Sequence, residues 1–152
     1  TAESCTAGLV AGTLTEIPGV SSILDRGYIT YSNDAKHDML GVARDTLREH
    51  GAVSKETAEA MARGVLGRAH RVQLAVSVTG IAGPDGGSAD KPVGLVHFAV
   101  ASRGGLMVHV EKRFGDIGRA DVRKQSVLQA FSMLHDLAEI EPEQPPPEAT
   151  ED

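Results

Sequence analysis

The chain has a single cysteine, Cys5, among its 152 residues, and no apolar run long enough to form a membrane helix, which needs about 18 residues or more. One cysteine excludes an internal disulfide framework and the usual multi-cysteine zinc sites. The first residues also lack the basic and apolar regions of a signal peptide. We therefore predict a cytoplasmic protein without membrane contact. Because Thr1 is not a methionine, we expect further residues before it.

The sequence also has no excess of basic residues, because it contains 15 Lys and Arg but 21 Asp and Glu. Residues 139–152 hold six acidic residues, no Lys or Arg and three consecutive prolines, a composition typical of a disordered tail. These acids account for the whole formal charge of −6, so residues 1–138 are close to neutral. This balance does not support nucleic acid binding, and the length and composition predict one domain over residues 1–138.

Histidine spacing typical of metal ligands is not found either. Most of the six histidines lie on separate predicted elements, and none stands in a His-x-x-x-His pattern. We predict no catalytic metal and no other cofactor.

Hydrophobic periodicity predicts an alternation of helices and strands. Apolar residues at helical spacing predict helices over residues 6–16, 33–40, 54–69 and 119–138. Runs of β-branched and apolar residues predict strands over residues 26–32, 72–79, 93–101 and 106–114, the last two joined as an antiparallel hairpin. The pattern indicates an α/β fold, namely a three-layer α/β/α sandwich with a mixed, mostly parallel sheet.

Three motifs follow predicted strands, where ligands usually bind in such sheets. Ser4 is expected to follow a first strand that is largely missing from this chain, Tyr31 and Lys36 follow the second strand, and the loop 79–87 follows the third. Because the carboxyl ends of parallel strands meet at one edge of a sheet, we expect the three motifs to form one site.

Each of these features also has a purely structural interpretation. Ser4, taken alone, is a good helix N-cap. By position alone, Lys36 is a solvated surface side chain and Tyr31 a core residue with a bonded hydroxyl. Cys5 is either a second candidate nucleophile or a buried structural thiol. The loop 80–87 is either a ligand-binding loop, whose glycines permit close backbone approach, or a flexible surface connection.

Five segments of the chain stand in an order and spacing that match a known family. They are residues 2–8 (AESCTAG), 27–36 (GYITYSNDAK), 51–54 (GAVS), 77–87 (SVTGIAGPDGG) and 91–94 (KPVG). Together they resemble the C-terminal domain of the CinA family of competence- and damage-inducible proteins, which includes nicotinamide-nucleotide amidases. The resemblance implies hydrolysis of nicotinamide mononucleotide to nicotinate mononucleotide and ammonia, in pyridine nucleotide recycling. The alternative is a non-catalytic accessory domain that binds a nucleotide or a protein.

The resemblance also implies roles for individual residues. Ser4 matches the family's nucleophile, Lys36 its general base and Tyr31 its supporting tyrosine, in a Ser-Lys variant of triad chemistry. Lys36 accepts a proton only when it is neutral, so we expect burial or a positive field to lower its pKa. Backbone N–H groups around Cys5 and Thr6, at the start of a helix, are expected to stabilise the oxyanion.

Further residues are implied to contact the nucleotide substrate, namely Cys5, Thr6, Asn33, Thr79, Gly80, Gly83 and Arg119. Arg119 is expected to hold the phosphate, although Ile117 and Gly118 separate it from the Gly-Asp pair that directly precedes this arginine in the family. Ala7 replaces a glycine usual in the family, which is harmless if the position is helical. Exposed edge strands and the resemblance together predict a homo-oligomer.

Overall fold

The computed structural model describes residues 1–141, which contain a five-strand mixed sheet packed by helices. The strands are β1 (Ala2–Glu3), β2 (Tyr28–Ile29), β3 (Leu74–Gly80), β4 (Leu95–Ser102) and β5 (Met107–Arg113). The helices are α1 (Leu9–Leu14), α2 (Asn33–Leu40), α3 (Arg44–His50), α4 (Lys55–Arg68) and α5 (Arg119–Ile140), with a 3-10 turn at Val20–Ser22. The predicted α/β class is confirmed.

The strands run in the order β2-β1-β3-β4-β5 across the sheet. Strand β1 pairs in parallel with β2 and β3, whereas β4 pairs antiparallel with β3 and β5. The sheet is mixed, as predicted, but it is not mostly parallel, because only two of its four pairings are parallel. The cause is the connection after β3, which contains no helix. Without a crossover helix, β4 returns from the same end of the sheet at which β3 finishes.

Helix α1 begins at Leu9, later than the predicted start at residue 6. Ala7 has φ 46° and Gly8 has φ 96°, so both lie in the left-handed region that an α-helix excludes. The position of Ala7 is therefore not helical, and the expectation that its side chain is harmless there fails. A left-handed alanine costs roughly 1–2 kcal/mol relative to the right-handed conformation.

Other elements also differ from the sequence expectation. Helix α3 was not predicted, because its seven residues include only one buried apolar side chain, Leu47. Strand β2 is shorter than predicted because its partner β1 has only two residues with which to pair. Helix α5 continues to Ile140, two residues into the predicted tail, and residues 142–152 of that tail lie outside the described residues.

Alternating residues of the central strands belong to different hydrophobic clusters. In β3, Val76 and Val78 share a cluster with buried residues of α5, whereas Ala75 packs with Met61 and Val65 of α4. In β4 the same alternation places Phe98 with α5, while Ala99 and Ala101 pack with alanines of α4. Successive strand residues point to opposite faces of a sheet. The alternation therefore supports the three-layer arrangement, which stays a prediction.

The contact between α2 and α4 depends on one glycine. A Cβ atom placed on Gly64 of α4 would lie 2.2 Å from the carbonyl oxygen of Leu40, the last residue of α2. Only a residue without a side chain permits this approach. The close packing fixes α2, the helix that carries Lys36, against the layer formed by α4.

Candidate active site

A cavity of about 270 Å³ opens where β1 and β3 end. Eight of the ten predicted site residues line it, namely Ser4, Cys5, Tyr31, Lys36, Thr79, Gly80, Gly83 and Arg119. These residues come from distant parts of the chain. The structure thus brings together the three motifs that follow predicted strands, and α5 adds Arg119 from a fourth segment.

Thr6 and Asn33, the other two predicted residues, do not line the cavity. The buried Thr6 hydroxyl donates to Glu3 Oε1 at 2.7 Å, and Asn33 is exposed at the first position of α2. Conversely, Val53 and Asp85 line the cavity but were not among the predicted site residues. Both lie in segments that carry the family resemblance, so that resemblance could have identified them as site residues.

Ser4 directly follows β1, and a backbone hydrogen bond holds it beside β3. Its N–H donates to the carbonyl oxygen of Val78 in β3 at 2.9 Å, and its side chain borders the cavity. The interpretation of Ser4 as a helix N-cap is wrong, because Gly8 occupies the N-cap position of α1. The Ser4 hydroxyl is therefore available to another partner.

The N-terminus of α1 is occupied by the buried carboxylate of Glu3, which is only 1% exposed. This carboxylate accepts hydrogen bonds from the N–H groups of Val10 and Ala11 at 2.8 and 3.1 Å, and from the hydroxyl of Thr6. Its charge is favourable next to the positive end of a helix. The expectation that Cys5 and Thr6 lie at the start of a helix is therefore wrong, because α1 begins at Leu9 and Glu3 already binds the N–H groups of Val10 and Ala11.

Lys36 reaches Ser4 from α2, whose start is capped by the hydroxyl of Ser32. The side chain is 1% exposed, so Lys36 is not the solvated surface residue that its position alone suggests. Its Nζ lies 3.0 Å from Ser4 Oγ, 2.8 Å from the carbonyl oxygen of Thr30 and 3.2 Å from that of Tyr31. Three oxygen atoms therefore surround the amine.

The two carbonyl oxygens limit how protons are arranged around Lys36. Carbonyl oxygens only accept, so each of them takes one N–H of the amine. In a neutral amine the remaining position is the lone pair, which then faces Ser4 Oγ and can accept a hydrogen bond from its hydroxyl. Burial lowers the pKa of Lys36 from 10.5 to about 8, so the neutral form is accessible near neutral pH.

Tyr31 supports this arrangement through its backbone and not through its hydroxyl. The side chain is 59% exposed, so its interpretation as a core residue is wrong. Its hydroxyl accepts a hydrogen bond from Arg119 Nη2 at 3.1 Å, while Arg119 Nη1 donates to the carbonyl oxygen of Gly83 at 2.8 Å. Arg119 therefore links two sides of the cavity, the end of β2 and the glycine-rich loop.

Cys5 has the properties of a structural thiol. Its side chain is buried and packs in the cluster that includes Val10, Val78 and Val122. Burial raises the pKa of the Cys5 thiol to about 11. A thiol with this pKa is almost entirely protonated at neutral pH, and only the thiolate is a strong nucleophile. The geometry therefore favours Ser4 over Cys5 as the nucleophile.

Residues 1–141 contain neither a grouped set of metal-ligating side chains nor a helix that could span a membrane. No three side chains of His, Cys, Asp or Glu in this range are grouped to hold a metal ion. The closest pair of histidines, His97 and His109, hydrogen-bond to each other at 2.8 Å and do not line the cavity. No helix in the same range combines the length and apolar character needed to cross a membrane.

Known proteins resemble this chain over most of its length. A nicotinamide-nucleotide amidohydrolase PncC from Enterobacter agglomerans is 50% identical over 140 residues, which cover 91% of this chain and 82% of that protein. A competence-damage inducible protein of Caldicellulosiruptor bescii is 55% identical over 133 residues. Those residues are 88% of this chain but only 32% of that longer relative.

Solved structures share the fold as well as the sequence. The crystal structure of the competence/damage inducible protein CihA from Agrobacterium tumefaciens superposes with a TM-score of 0.88 at 59% identity. The match covers 90% of this chain and 82% of that protein. The model of the CinA C-terminal domain matches residues 1–138. Because this match includes both the sheet and the cavity, the chain belongs to the CinA C-terminal domain family.

Proposed function

We propose that the protein is a nicotinamide-nucleotide amidohydrolase, which converts nicotinamide mononucleotide to nicotinate mononucleotide and ammonia. The observation that carries this proposal is the 3.0 Å distance between Lys36 Nζ and Ser4 Oγ in a buried position. A serine hydroxyl is a weak nucleophile until an adjacent base accepts its proton. The similarity to amidohydrolases of the PncC type supplies the substrate.

In the first half of the reaction, the neutral amine of Lys36 takes the proton of Ser4. The Ser4 oxygen attacks the carboxamide carbon of the nicotinamide group, and the carbonyl oxygen becomes an oxyanion. Lys36, now an ammonium, returns the proton to the amide nitrogen. The C–N bond breaks, ammonia leaves, and the nicotinoyl group remains on Ser4 as an ester.

In the second half, a water molecule takes the place of the ammonia. Lys36 accepts one proton from this water, whose oxygen attacks the ester carbon. Collapse of the second tetrahedral intermediate breaks the bond to Ser4, and Lys36 returns the proton to the Ser4 oxygen. The product is nicotinate mononucleotide, and the site regains its initial protonation state.

The oxyanion requires hydrogen-bond donors close to Ser4, and two backbone groups qualify. Within residues 1–141, the N–H groups of Cys5 and Thr6 donate to no backbone carbonyl oxygen, whereas the N–H of Ala7 donates to the carbonyl oxygen of Ser4 at 3.1 Å. Removal of one such donor typically costs about 2.7–4 kcal/mol of transition-state stabilisation. These donors belong to the turn after β1, and not to the start of α1 as the sequence suggested.

The remaining contacts with the substrate follow from the cavity lining. Arg119 is the candidate for the phosphate, because a guanidinium with five N–H donors can bind phosphate in a bidentate manner. Backbone groups of Gly80 and Gly83 border the same space and suit the ribose or the nicotinamide ring. Tyr31 contributes its carbonyl oxygen to Lys36 and its hydroxyl to Arg119.

We further propose that residues 1–138 form an amidase domain, which uses no metal or other cofactor and acts in the cytoplasm. We also propose that the domain works as a homo-oligomer. The exposed edge of β5 supports self-association, because an unpaired strand edge carries free N–H and C=O groups and Val108 on it is exposed.

Ammonia release from nicotinamide mononucleotide tests the function directly. The purified protein is incubated with this nucleotide, and ammonia and nicotinate mononucleotide are both quantified, with Ser4→Ala as the inactive control. Equal amounts of the two products are expected. Binding of the nucleotide without ammonia release would instead identify the domain as the non-catalytic accessory module. Nicotinamide riboside, which lacks the phosphate, measures how much the phosphate contributes to the substrate preference.

A further inference from the structure

Arg123 lies on α5 one helical turn after Arg119, but it serves a different part of the site. Its Nε donates to the carbonyl oxygen of Cys5 at 3.1 Å, and its Nη2 lies 3.5 Å from the carbonyl oxygen of Thr6. Arg123 does not line the cavity. It therefore contacts the turn that follows Ser4 from behind, on the side away from the substrate.

The contact fixes the direction of specific N–H groups. In a planar trans peptide, the C=O of one residue and the N–H of the next point in opposite directions. A guanidinium that holds the carbonyl oxygen of Cys5 consequently turns the N–H of Thr6 to the opposite side. The hydrogen bond from Ala7 N–H to the carbonyl oxygen of Ser4 orients the N–H of Cys5 in the same manner.

The turn needs this support because the hydrogen bonds of a regular helix or strand do not hold it in place. The segment from Ser4 to Gly8 belongs to neither β1 nor α1, and Ala7 has a left-handed φ of 46°. Glu3 holds the hydroxyl of Thr6 from one side, and Arg123 holds the carbonyl oxygens from the other. Hydrogen bonding to a carbonyl also polarises the peptide and strengthens its N–H as a donor.

We propose that Arg123 is a positioning residue for the amidase reaction, which orients and polarises the Cys5–Thr6 peptide so that its N–H stabilises the oxyanion. This inference rests on the proposed function. Arg123 touches neither the substrate nor Ser4, so its loss affects the transition state more than the ground-state complex. The expected signature is a lower kcat with little change in KM.

The test compares Arg123→Ala with Lys124→Ala, which removes the neighbouring exposed cation of α5 and has no contact with the turn. Both variants are assayed with nicotinamide mononucleotide well below their melting temperatures. We expect kcat of Arg123→Ala to fall about 10²–10³-fold, as for loss of an oxyanion donor, with KM within about threefold of wild type. Lys124→Ala should match wild type in both constants.

Chemical rescue separates positioning from a merely structural role. Guanidinium chloride at low millimolar concentration should restore part of the kcat of Arg123→Ala by filling the vacated space, and should not restore Ser4→Ala. Arg123→Lys keeps the positive charge but loses the second N–H donor of the guanidinium. Its kcat should lie between those of wild type and Arg123→Ala.

Three results are decisive. A folded Arg123→Ala variant with wild-type kcat, or with a defect confined to KM, overturns the role of Arg123 and leaves the amidase function intact. Loss of kcat that guanidinium does not restore, together with a lowered melting temperature, shows a structural role instead. No ammonia release by the wild-type protein overturns the proposed function itself.

Discussion

Lys36 Nζ faces Ser4 Oγ at 3.0 Å, and the carbonyl oxygens of Thr30 and Tyr31 occupy the other two positions around the amine. Both carbonyl oxygens can only accept, so each binds one N–H of the neutral amine. The lone pair of the amine then points toward the Ser4 hydroxyl. This geometry is compatible with the proposed transfer of the Ser4 proton to Lys36.

The identity of the nucleophile is tested by two adjacent alanine substitutions. Ser4→Ala should lower kcat by at least about 10³-fold, because the attacking hydroxyl is lost. Cys5→Ala should keep kcat within about tenfold, because burial raises the pKa of the Cys5 thiol to about 11 and keeps it protonated. Steady-state kinetics with nicotinamide mononucleotide measures both. Retention of activity in Ser4→Ala, with its loss in Cys5→Ala, would reverse the assignment.

The pH dependence of activity tests the role of Lys36 as a base. The reactive form is the neutral amine, so kcat/KM should rise about tenfold per pH unit below the Lys36 pKa of about 8 and level off above it. Lys36→Arg should be inactive across this range, because a guanidinium does not lose its proton. Lys55→Arg, at an exposed position, is the matched control. A flat profile between pH 6 and 8 would argue against a lysine base.

The pH dependence of stability tests the same pKa without substrate. The folded state holds the Lys36 pKa at about 8, below the ordinary 10.5, so between these values the unfolded chain binds a proton that the folded chain does not. The penalty for the buried ammonium is full below pH 8 and disappears as pH rises through this window. As pH increases through this window, the free energy of unfolding of the wild-type protein should therefore rise relative to that of Lys36→Met. The rise should be up to about 1.4 kcal/mol per pH unit.

Urea unfolding at several pH values between 7 and 10.5 measures this difference. Lys55→Met provides the control, because the side chain of Lys55 is mostly exposed and its substitution leaves the buried amine in place. A wild-type minus Lys36→Met difference that stays constant over the whole window would mean that Lys36 has an ordinary pKa in the folded protein.

The role of the Tyr31 hydroxyl is tested by Tyr31→Phe. The variant keeps the backbone carbonyl that binds Lys36 but loses the hydroxyl that binds Arg119. We expect KM for nicotinamide mononucleotide to rise several-fold while kcat stays within about threefold of wild type. Tyr28→Phe, which changes the other tyrosine of the chain, should be silent. A fall of kcat by 100-fold or more with unchanged KM would assign the hydroxyl a direct part in proton transfer.

The backbone at Ala7 provides a stability prediction. Glycine adopts a positive φ without a steric penalty, so Ala7→Gly should raise the free energy of unfolding by about 0.5–1 kcal/mol after the greater entropy of glycine in the unfolded chain is included. Ala11→Gly, within α1, should lower it by about 0.5–1 kcal/mol instead. Chemical denaturation measures both. If both substitutions destabilise equally, Ala7 is not strained.

The sequence predicted the parts of this protein that depend on local order. The spacing of hydrophobic residues predicted the long helices and the buried strands. Helix α3 was not predicted because it is short and mostly polar. The predicted start of α1 was too early because the spacing of hydrophobic residues does not reveal the left-handed dihedral angles of Ala7 and Gly8.

For the site, the sequence by itself determined which side chains are present and, through the family motifs, which of them belong together. Only the tertiary structure decided their chemical state. The pKa of Lys36 depends on burial by residues far along the chain, and the turn after Ser4 is held by Arg123 from 118 residues away. Burial and hydrogen bonding arise from the packing of distant segments, and a pattern read along the chain contains no direct record of that packing.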